Sequence, residues 1–217
     1  MTTALAAAAL LFACAFGAST YERWLVRRSP QLAAWTIALV MFALGAGALA
    51  WGSAWGWTGG SFRVFFAFGA VLNVPFLALG QLYVQVRNRR LVDRIATGLR
   101  VVAGFACGVV LVSPLRGPIP ADTLPQGSEV FGPWPRALAA GGSGLGATIV
   151  FAGAVIGVWR LWRAQRRRAG GLALIALGTA ILSASGLLNS ALGQMRAFSV
   201  TLTIGIAVLF AGFLVSS

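Results

Sequence analysis

Uncharged apolar stretches of about twenty residues alternate with short arginine-rich segments along the whole chain. A stretch of that length crosses a hydrocarbon core of roughly 30 Å when it is helical. The pattern predicts an all-α polytopic membrane protein, a single domain over residues 1–217 with seven transmembrane helices. The predicted spans are about residues 3–22, 31–51, 62–86, 95–115, 137–159, 170–190 and 197–213.

Turn signals mark the ends of several spans. Ser29 and Pro30 place a capping residue before a first-turn proline, which is typical of a helix start. Residues 113–136 contain six prolines and half of the acidic residues. Proline at that density is incompatible with a helix, so we expect a loop over the whole segment. A cleaved signal peptide is the alternative for the first span, but its usual basic N-terminal region is missing.

The positive charges indicate an orientation. All 17 basic residues are arginine, and twelve of them form three clusters that follow the first, third and fifth spans. Arginine is enriched in cytoplasmic loops, so the N-terminus is expected outside and the C-terminus in the cytoplasm. The proline-rich loop is then extracytoplasmic. The clusters are Arg23, Arg27 and Arg28; Arg87, Arg89, Arg90 and Arg94; and Arg160, Arg163, Arg166, Arg167 and Arg168.

Composition supports a membrane protein and removes several other classes. The chain is 59% hydrophobic, with a mean hydropathy of +0.85 and a formal charge of +13. Because the arginines border apolar spans, the expected partners are anionic membrane lipids and not nucleic acid. With no histidine and two cysteines, both in apolar runs, neither a metal site nor another cofactor is expected.

Three segments carry a resemblance to a known group of proteins. These are FRVFFAFGAVLNVPFLALGQLYV, LPQGSEVFGPWPR and SASGLLNSALG, in the third span, the loop and the sixth span. The chain resembles an uncharacterised seven-span integral membrane protein family of high-GC Gram-positive bacteria. The resemblance implies a location in the bacterial plasma membrane and implies no activity.

Missing residue types restrict the chemistry. Without lysine the chain cannot form a retinal Schiff base, and its acids all lie near span ends or in the outer loop. Ion-coupled transport usually uses an ionisable side chain near the membrane midplane, so it is disfavoured. Hydrolysis inside the membrane lacks a histidine or lysine base and a carboxylate pair. We therefore expect a non-catalytic protein.

Polar side chains inside the spans form the first candidate site. Asn73 and Gln81 share one helix face with Gln85, and the sixth span carries Asn189 beside a small polar stripe. One interpretation is a polar cavity between these helices. The other, which we favour, is that the amides bond helix to helix within the bundle. In either case we expect Asn73 to be buried against another helix.

The outer face forms the second candidate site. Guanidinium and indole groups together suit a phosphate or carboxylate headgroup on an apolar tail. Ordinary anchoring at the membrane interface is the alternative. We expect the loop to fold back over the bundle, with one of its acids paired to an arginine. The candidate residues there are Arg63, Arg116, Arg136, Arg196, Asp122, Glu129 and Trp134.

Three functions stay open on this basis. The leading hypothesis is binding of a lipid-like or small amphipathic anion, or of a partner protein, at the extracytoplasmic face. The second is an uncoupled small-molecule transporter that uses the cavity near Asn73, Gln81 and Asn189. The third is a structural subunit of a membrane complex, with another membrane protein or a second copy of the chain as partner.

Overall fold

The structure, a computed structural model, describes residues 2–116, 119, 121, 123–192 and 195–216; the side chains of residues 2, 185–192, 195–197 and 216 are outside its described part. Within these residues the chain is helical and contains no strand. The long helices are α1 (Thr2–Arg27), α2 (Pro30–Trp55), α3 (Gly59–Gln85), α4 (Arg89–Val112), α5 (Pro133–Leu161), α6 (Arg166–Leu192) and α7 (Met195–Ser216).

Six of these helices are long and apolar enough to cross a membrane when the described residues are considered. They are α1 to α5 together with α7 over Phe198–Val215. α6 is not among these six, although it is 27 residues long. The apolar pattern therefore predicted the helices correctly, whereas the seventh span and the orientation stay predictions.

Several predicted boundaries differ from the observed ones. α1 continues to Arg27, and α4 begins at Arg89 and ends at Val112, so helices extend into the arginine-rich segments. Guanidinium groups on long apolar stems can extend a helix beyond the hydrocarbon core, which hydropathy alone does not reveal. The predicted fourth span, residues 95–115, was accordingly placed too far along the chain.

The prediction of a loop over all of residues 113–136 is wrong at its C-terminal end. α5 begins at Pro133, with Gly132 as its N-cap, so that both Pro133 and Pro135 lie in its first turn. Proline is tolerated there because the first backbone N–H groups of a helix have no intrahelical acceptor. A single helical turn, Gly127–Val130, also interrupts the loop.

Helix contacts close a ring in the order α1, α2, α3, α5, α6, α7 and back to α1. α4 packs on the outside of this ring, mainly against α3. Consecutive helices run in opposite directions, so all three arginine clusters lie at one end of the bundle. We call it the arginine end, and the opposite end, with residues 113–132, the loop end.

Close backbone approach holds neighbouring helices together at glycines. A Cβ atom on Gly45 of α2 would lie 2.8 Å from the Cα of Gly69 on α3. A Cβ on Gly212 of α7 would lie 2.7 Å from the carbonyl oxygen of Gly171 on α6. Because the obstructing atoms are backbone, no larger residue fits at these two positions without moving a helix.

Candidate functional site

The connection between α4 and α5 folds back over the loop end of the bundle, as predicted. Phe131 is fully buried, and its ring stacks on Phe62 of α3 with 5.4 Å between centroids. The backbone N–H of Trp57 donates to the carbonyl of Ala121, and that of Arg116 donates to the carbonyl of Val130. The described residues of this connection therefore form a packed cap with an aromatic interior.

Arg63 does not belong to an open anion site. Its guanidinium donates to the carbonyls of Val110 and of Ser113, the latter at 2.7 Å, and lies 5.8 Å from the ring centroid of Phe131. Those carbonyls lie where α4 ends, and terminal helix carbonyls lack intrahelical donors. Arg63 is thus a side-chain cap for α4, so its donors are engaged.

The other outer-face candidates that the structure describes are exposed to solvent. Arg116, Glu129 and Arg136 are exposed, and Trp134 is 74% exposed. Glu129 makes no ion pair with the guanidinium of Arg116 or Arg136, so the predicted pairing is wrong for these residues. The placement of Asp122 and the side chain of Arg196 lie outside the described residues.

Asn73 is buried, with 3% of its surface exposed, as expected. Its Oδ1 accepts a hydrogen bond from the backbone N–H of Val74 at 2.7 Å. The preceding segment, Phe65–Leu72, is π-helical, and Pro75 has no N–H to offer the carbonyl of Ala70 five residues earlier. The hydroxyl of Ser143 on α5 donates to that carbonyl instead. Asn73 therefore belongs to a helix irregularity that α5 completes.

Gln81 and Gln85 hold the other half of the α3–α5 interface. The Gln81 amide packs directly on Gly153, where a Cβ would lie 2.3 Å from the amide nitrogen Nε2. Gln85 donates from Nε2 to the carbonyl of Gly153 at 2.8 Å. Both amides are thus used in helix packing, which supports the interpretation that we favoured.

The predicted cavity between α3 and α6 is not supported by this arrangement. α5 lies between those two helices and packs against both. On α6 the hydroxyls of Thr179 and Ser183 donate to carbonyls of their own helix, four residues earlier. The side chain of Asn189 lies outside the described residues.

An open groove on the outer surface of the bundle has room for a ligand. It has a volume of about 780 Å³ and lies between α1, α2 and the first turns of α3. Ligand sites typically measure roughly 300–1,000 Å³. Its walls are almost entirely apolar, and they are formed by Leu10, Ala13, Cys14, Gly17, Ala18, Leu39, Val40, Ala43, Leu44, Gly47, Ala48, Trp51, Thr58, Ser61 and Val64.

The length of the groove along α2 is close to the thickness of one membrane leaflet. Along α2 it extends from Leu39 to Trp51, which is twelve residues or about 18 Å at 1.5 Å per residue. Half of a hydrocarbon core of roughly 30 Å is about 15 Å. The groove therefore runs from near the middle of α2 to Trp51, roughly one turn before α2 ends at the loop end, and its length matches the thickness of one leaflet.

Polar groups collect at the outer end of the groove. Thr58 and Ser61 cap α3 reciprocally: Ser61 N donates to Thr58 Oγ1 at 3.2 Å, and Thr58 N donates to Ser61 Oγ at 2.9 Å. The exposed indole of Trp51 lies 4.6 Å from that of Trp55. Hydroxyls and indoles at this depth suit the headgroup region of a bilayer.

None of the candidate site residues named in the sequence analysis lines the groove. A signal was present, because Ala13 and Gly17 on α1 and Ala43 and Gly47 on α2 are small residues four positions apart. Such spacing usually indicates close helix contact. Here a Cβ on Gly47 would find only one atom within 4 Å, Cδ1 of Leu10 at 3.9 Å. Gly47 thus leaves space beside it, whereas a Cβ on Gly17 would contact the Cβ of Leu39 at 3.6 Å, and the sequence spacing alone cannot distinguish the two cases.

Comparison with known proteins yields no match: no family model, no curated protein and no solved structure is similar to this chain. Among the described residues no cluster of histidine, cysteine, aspartate or glutamate could hold a metal ion. The helical fold and the apolar groove therefore carry the functional argument.

Proposed function

We propose that the protein is a non-catalytic integral membrane protein that binds a lipid-like amphipathic molecule in the groove between α1, α2 and α3. It spans the bacterial plasma membrane seven times, with the loop end outside. Six long apolar helices support a membrane location, and the bacterial plasma membrane is the location that the resemblance stated above implies. The groove is the single observation that carries the proposed binding activity.

The shape of the groove favours an acyl chain as occupant. Its apolar walls run for about one leaflet and face the bilayer, with Val40 52% and Leu44 46% exposed. A chain lying there would place its headgroup beside Thr58, Ser61 and Trp51. The outer arginines are not required, since Arg63 caps α4 and does not line the groove.

Filling the groove tests the proposal. Gly47→Leu places a side chain into open space inside the groove, so it should exclude the acyl chain without disturbing the fold. Gly104→Leu on the exposed face of α4 is the matched control, because nothing lies within 4 Å of a Cβ there. Both proteins are reconstituted with a phospholipid that carries a photoactivatable diazirine in its acyl chain.

Mass spectrometry of the crosslinked peptides then locates the lipid. We expect labelling concentrated on α1 and α2 in the parent, reduced by about fivefold in Gly47→Leu and unchanged in Gly104→Leu, because a leucine at position 47 occupies space inside the groove and one at position 104 does not. Labelling spread evenly over every exposed helix face, or unaffected by Gly47→Leu, would contradict a specific site.

A further inference from the structure

Positive charge concentrates around the link between α5 and α6, and the described residues supply no partner for it. Five arginines lie between positions 160 and 168, all exposed, and no acidic residue follows Glu129 in the sequence. None of the five makes a hydrogen bond, ion pair or ring contact with the described residues. They differ from Arg23, which lies 4.7 Å from the ring centroid of Phe213, and Arg28, which lies 4.6 Å from that of Trp24.

A pocket opens among these unpartnered arginines. It has a volume of about 400 Å³ and is lined by Gln165, Arg167, Arg168 and Val215, so α6 and the end of α7 both contribute. The adjacent Ala169 is fully buried, and its N–H donates to the carbonyl of Gln165 at 3.0 Å. The pocket is an open depression at the arginine end.

The local backbone field adds to the charge of the arginines. α6 starts at Arg166 and has no acidic residue in its first turn. A helix N-terminus carries a partial positive charge and is normally complemented by acids. Three arginines in that turn leave the charge uncompensated within the chain, so an external anion is favoured.

Two tryptophans place this surface at the level of lipid headgroups. Trp159 is 82% exposed and Trp162 is 61% exposed, and they flank Arg160 on the last turns of α5. Exposed indoles beside guanidinium groups are typical of the membrane–water interface. A soluble anion would use the arginines alone, whereas a lipid also contacts the indoles and the apolar Val215.

We propose that this pocket binds the phosphodiester headgroup of an anionic phospholipid in the leaflet at the arginine end. Arg167 and Arg168 donate to the phosphate oxygens, which the planar guanidinium matches geometrically. Gln165 donates to the remaining polar headgroup atoms, and the acyl chains lie along Val215. The site is independent of the groove at the loop end.

Lipid-retention measurements test this site. Purified protein is titrated in detergent with a phosphatidylglycerol or a phosphatidylcholine of identical acyl chains, and bound lipid is counted by native mass spectrometry. The variant Arg167→Gln/Arg168→Gln is compared with Arg90→Gln/Arg94→Gln, an exposed pair that removes the same charge at the same end. Each single Arg167→Gln and Arg168→Gln substitution is read in the same way if the pair does not fold.

We expect the pocket variant to bind phosphatidylglycerol about fivefold more weakly, the control pair to change by less than about twofold, and phosphatidylcholine binding to stay constant. An equal loss in the control pair would overturn the pocket in favour of a diffuse field, and no loss in either would overturn it outright. If inorganic phosphate displaced the lipid fully at about 10 mM, the site would be one for soluble anions.

Discussion

At the scale of single residues, position along the chain did not reveal what a polar side chain contacts. Arg63 lies near a predicted span end beside tryptophans, a setting that suits a headgroup. In the folded chain its guanidinium reaches across to carbonyls at the end of α4, a neighbour 47 residues later in the sequence. Only the packing of α4 beside α3 makes that contact possible, so no local pattern could have predicted it.

Replacing Arg63 should therefore affect stability more than ligand binding. Arg63→Met removes two hydrogen bonds from a charged donor and leaves terminal carbonyls of α4 unpaired, at a cost of about 1.5–3 kcal/mol. We expect a lower melting temperature in detergent with unchanged lipid crosslinking in the groove. Arg136→Met is the control, because Arg136 is exposed and has no partner among the described residues. Equal melting temperatures for the two variants would contradict a capping role for Arg63.

Gly153 gives a second residue-level prediction. Gly153→Ala should destabilise the protein by about 1–3 kcal/mol, because its Cβ would overlap the buried side chain of Gln81. Gly144→Ala on the same helix should be neutral, since a Cβ there meets nothing within 4 Å. Thermal unfolding of the double variant Gly153→Ala/Gln81→Ala should recover most of the loss. No recovery would show that the strain lies elsewhere.

At the scale of elements, α3 has the apolar sequence of an ordinary membrane-spanning helix, but its backbone contains a π-helical segment. Pro75 removes one donor, Asn73 diverts the N–H of Val74, and Ser143 supplies the missing bond to Ala70. Gly142 allows α5 to approach α3 closely, because a Cβ at that position would lie only 3.2 Å from the carbonyl oxygen of Val71. The glycine-rich start of α5 is thus explained by the irregular turn of α3.

Coupling between Ser143 and Pro75 tests this explanation. Ser143→Ala should destabilise the parent by about 1 kcal/mol, as expected for an interhelical hydroxyl bond. In a Pro75→Ala background the loss should shrink, because residue 75 then offers its own N–H to the freed carbonyls. The two unfolding free energies are compared in a double-mutant cycle. Strictly additive effects would mean that the Ser143 hydroxyl does not replace the backbone hydrogen bond that Pro75 removes.

The elements show which parts of the fold a sequence pattern can predict. Twenty apolar residues between arginines predict a membrane helix because hydrocarbon thickness sets its length. The start of α5 escaped prediction because Pro133 and Pro135 were read only as helix breakers. The π-helical segment of α3 and the position of α4 outside the ring were not predicted, because both depend on contacts with neighbouring helices. The groove was not predicted for the same reason, because small residues in a sequence can mean either a close helix contact or an open space beside the helix.

At the scale of the whole molecule, two kinds of surface lie at opposite ends. The arginine end carries three clusters, one of which has no partner among the residues that the structure describes, and the loop end carries an aromatic cap and the mouth of the groove. This separation of charge is what the positive-inside pattern requires of a bundle whose successive helices are antiparallel. The two proposed lipid sites consequently face different leaflets.

Cysteine accessibility tests the proposed orientation and the seven spans together. In a background with Cys14→Ala and Cys107→Ala, Ser128→Cys lies in the outer cap and Ala164→Cys lies between α5 and α6, and both positions are exposed. We expect a membrane-impermeant maleimide to label Ser128→Cys in intact cells and Ala164→Cys only after permeabilisation, because arginine-rich links are retained in the cytoplasm.

A further probe, Ser216→Cys, should behave like Ala164→Cys if α6 and α7 both cross the bilayer. Labelling of Ala164→Cys from outside would invert the bundle, and labelling of Ser216→Cys from outside would show that α6 or α7 does not span. The first result would exchange the leaflets assigned to the two lipid sites without altering their geometry, whereas the second would leave the groove in its assigned leaflet and contradict a seven-span bundle. The lipid experiments and the accessibility experiment can therefore fail independently.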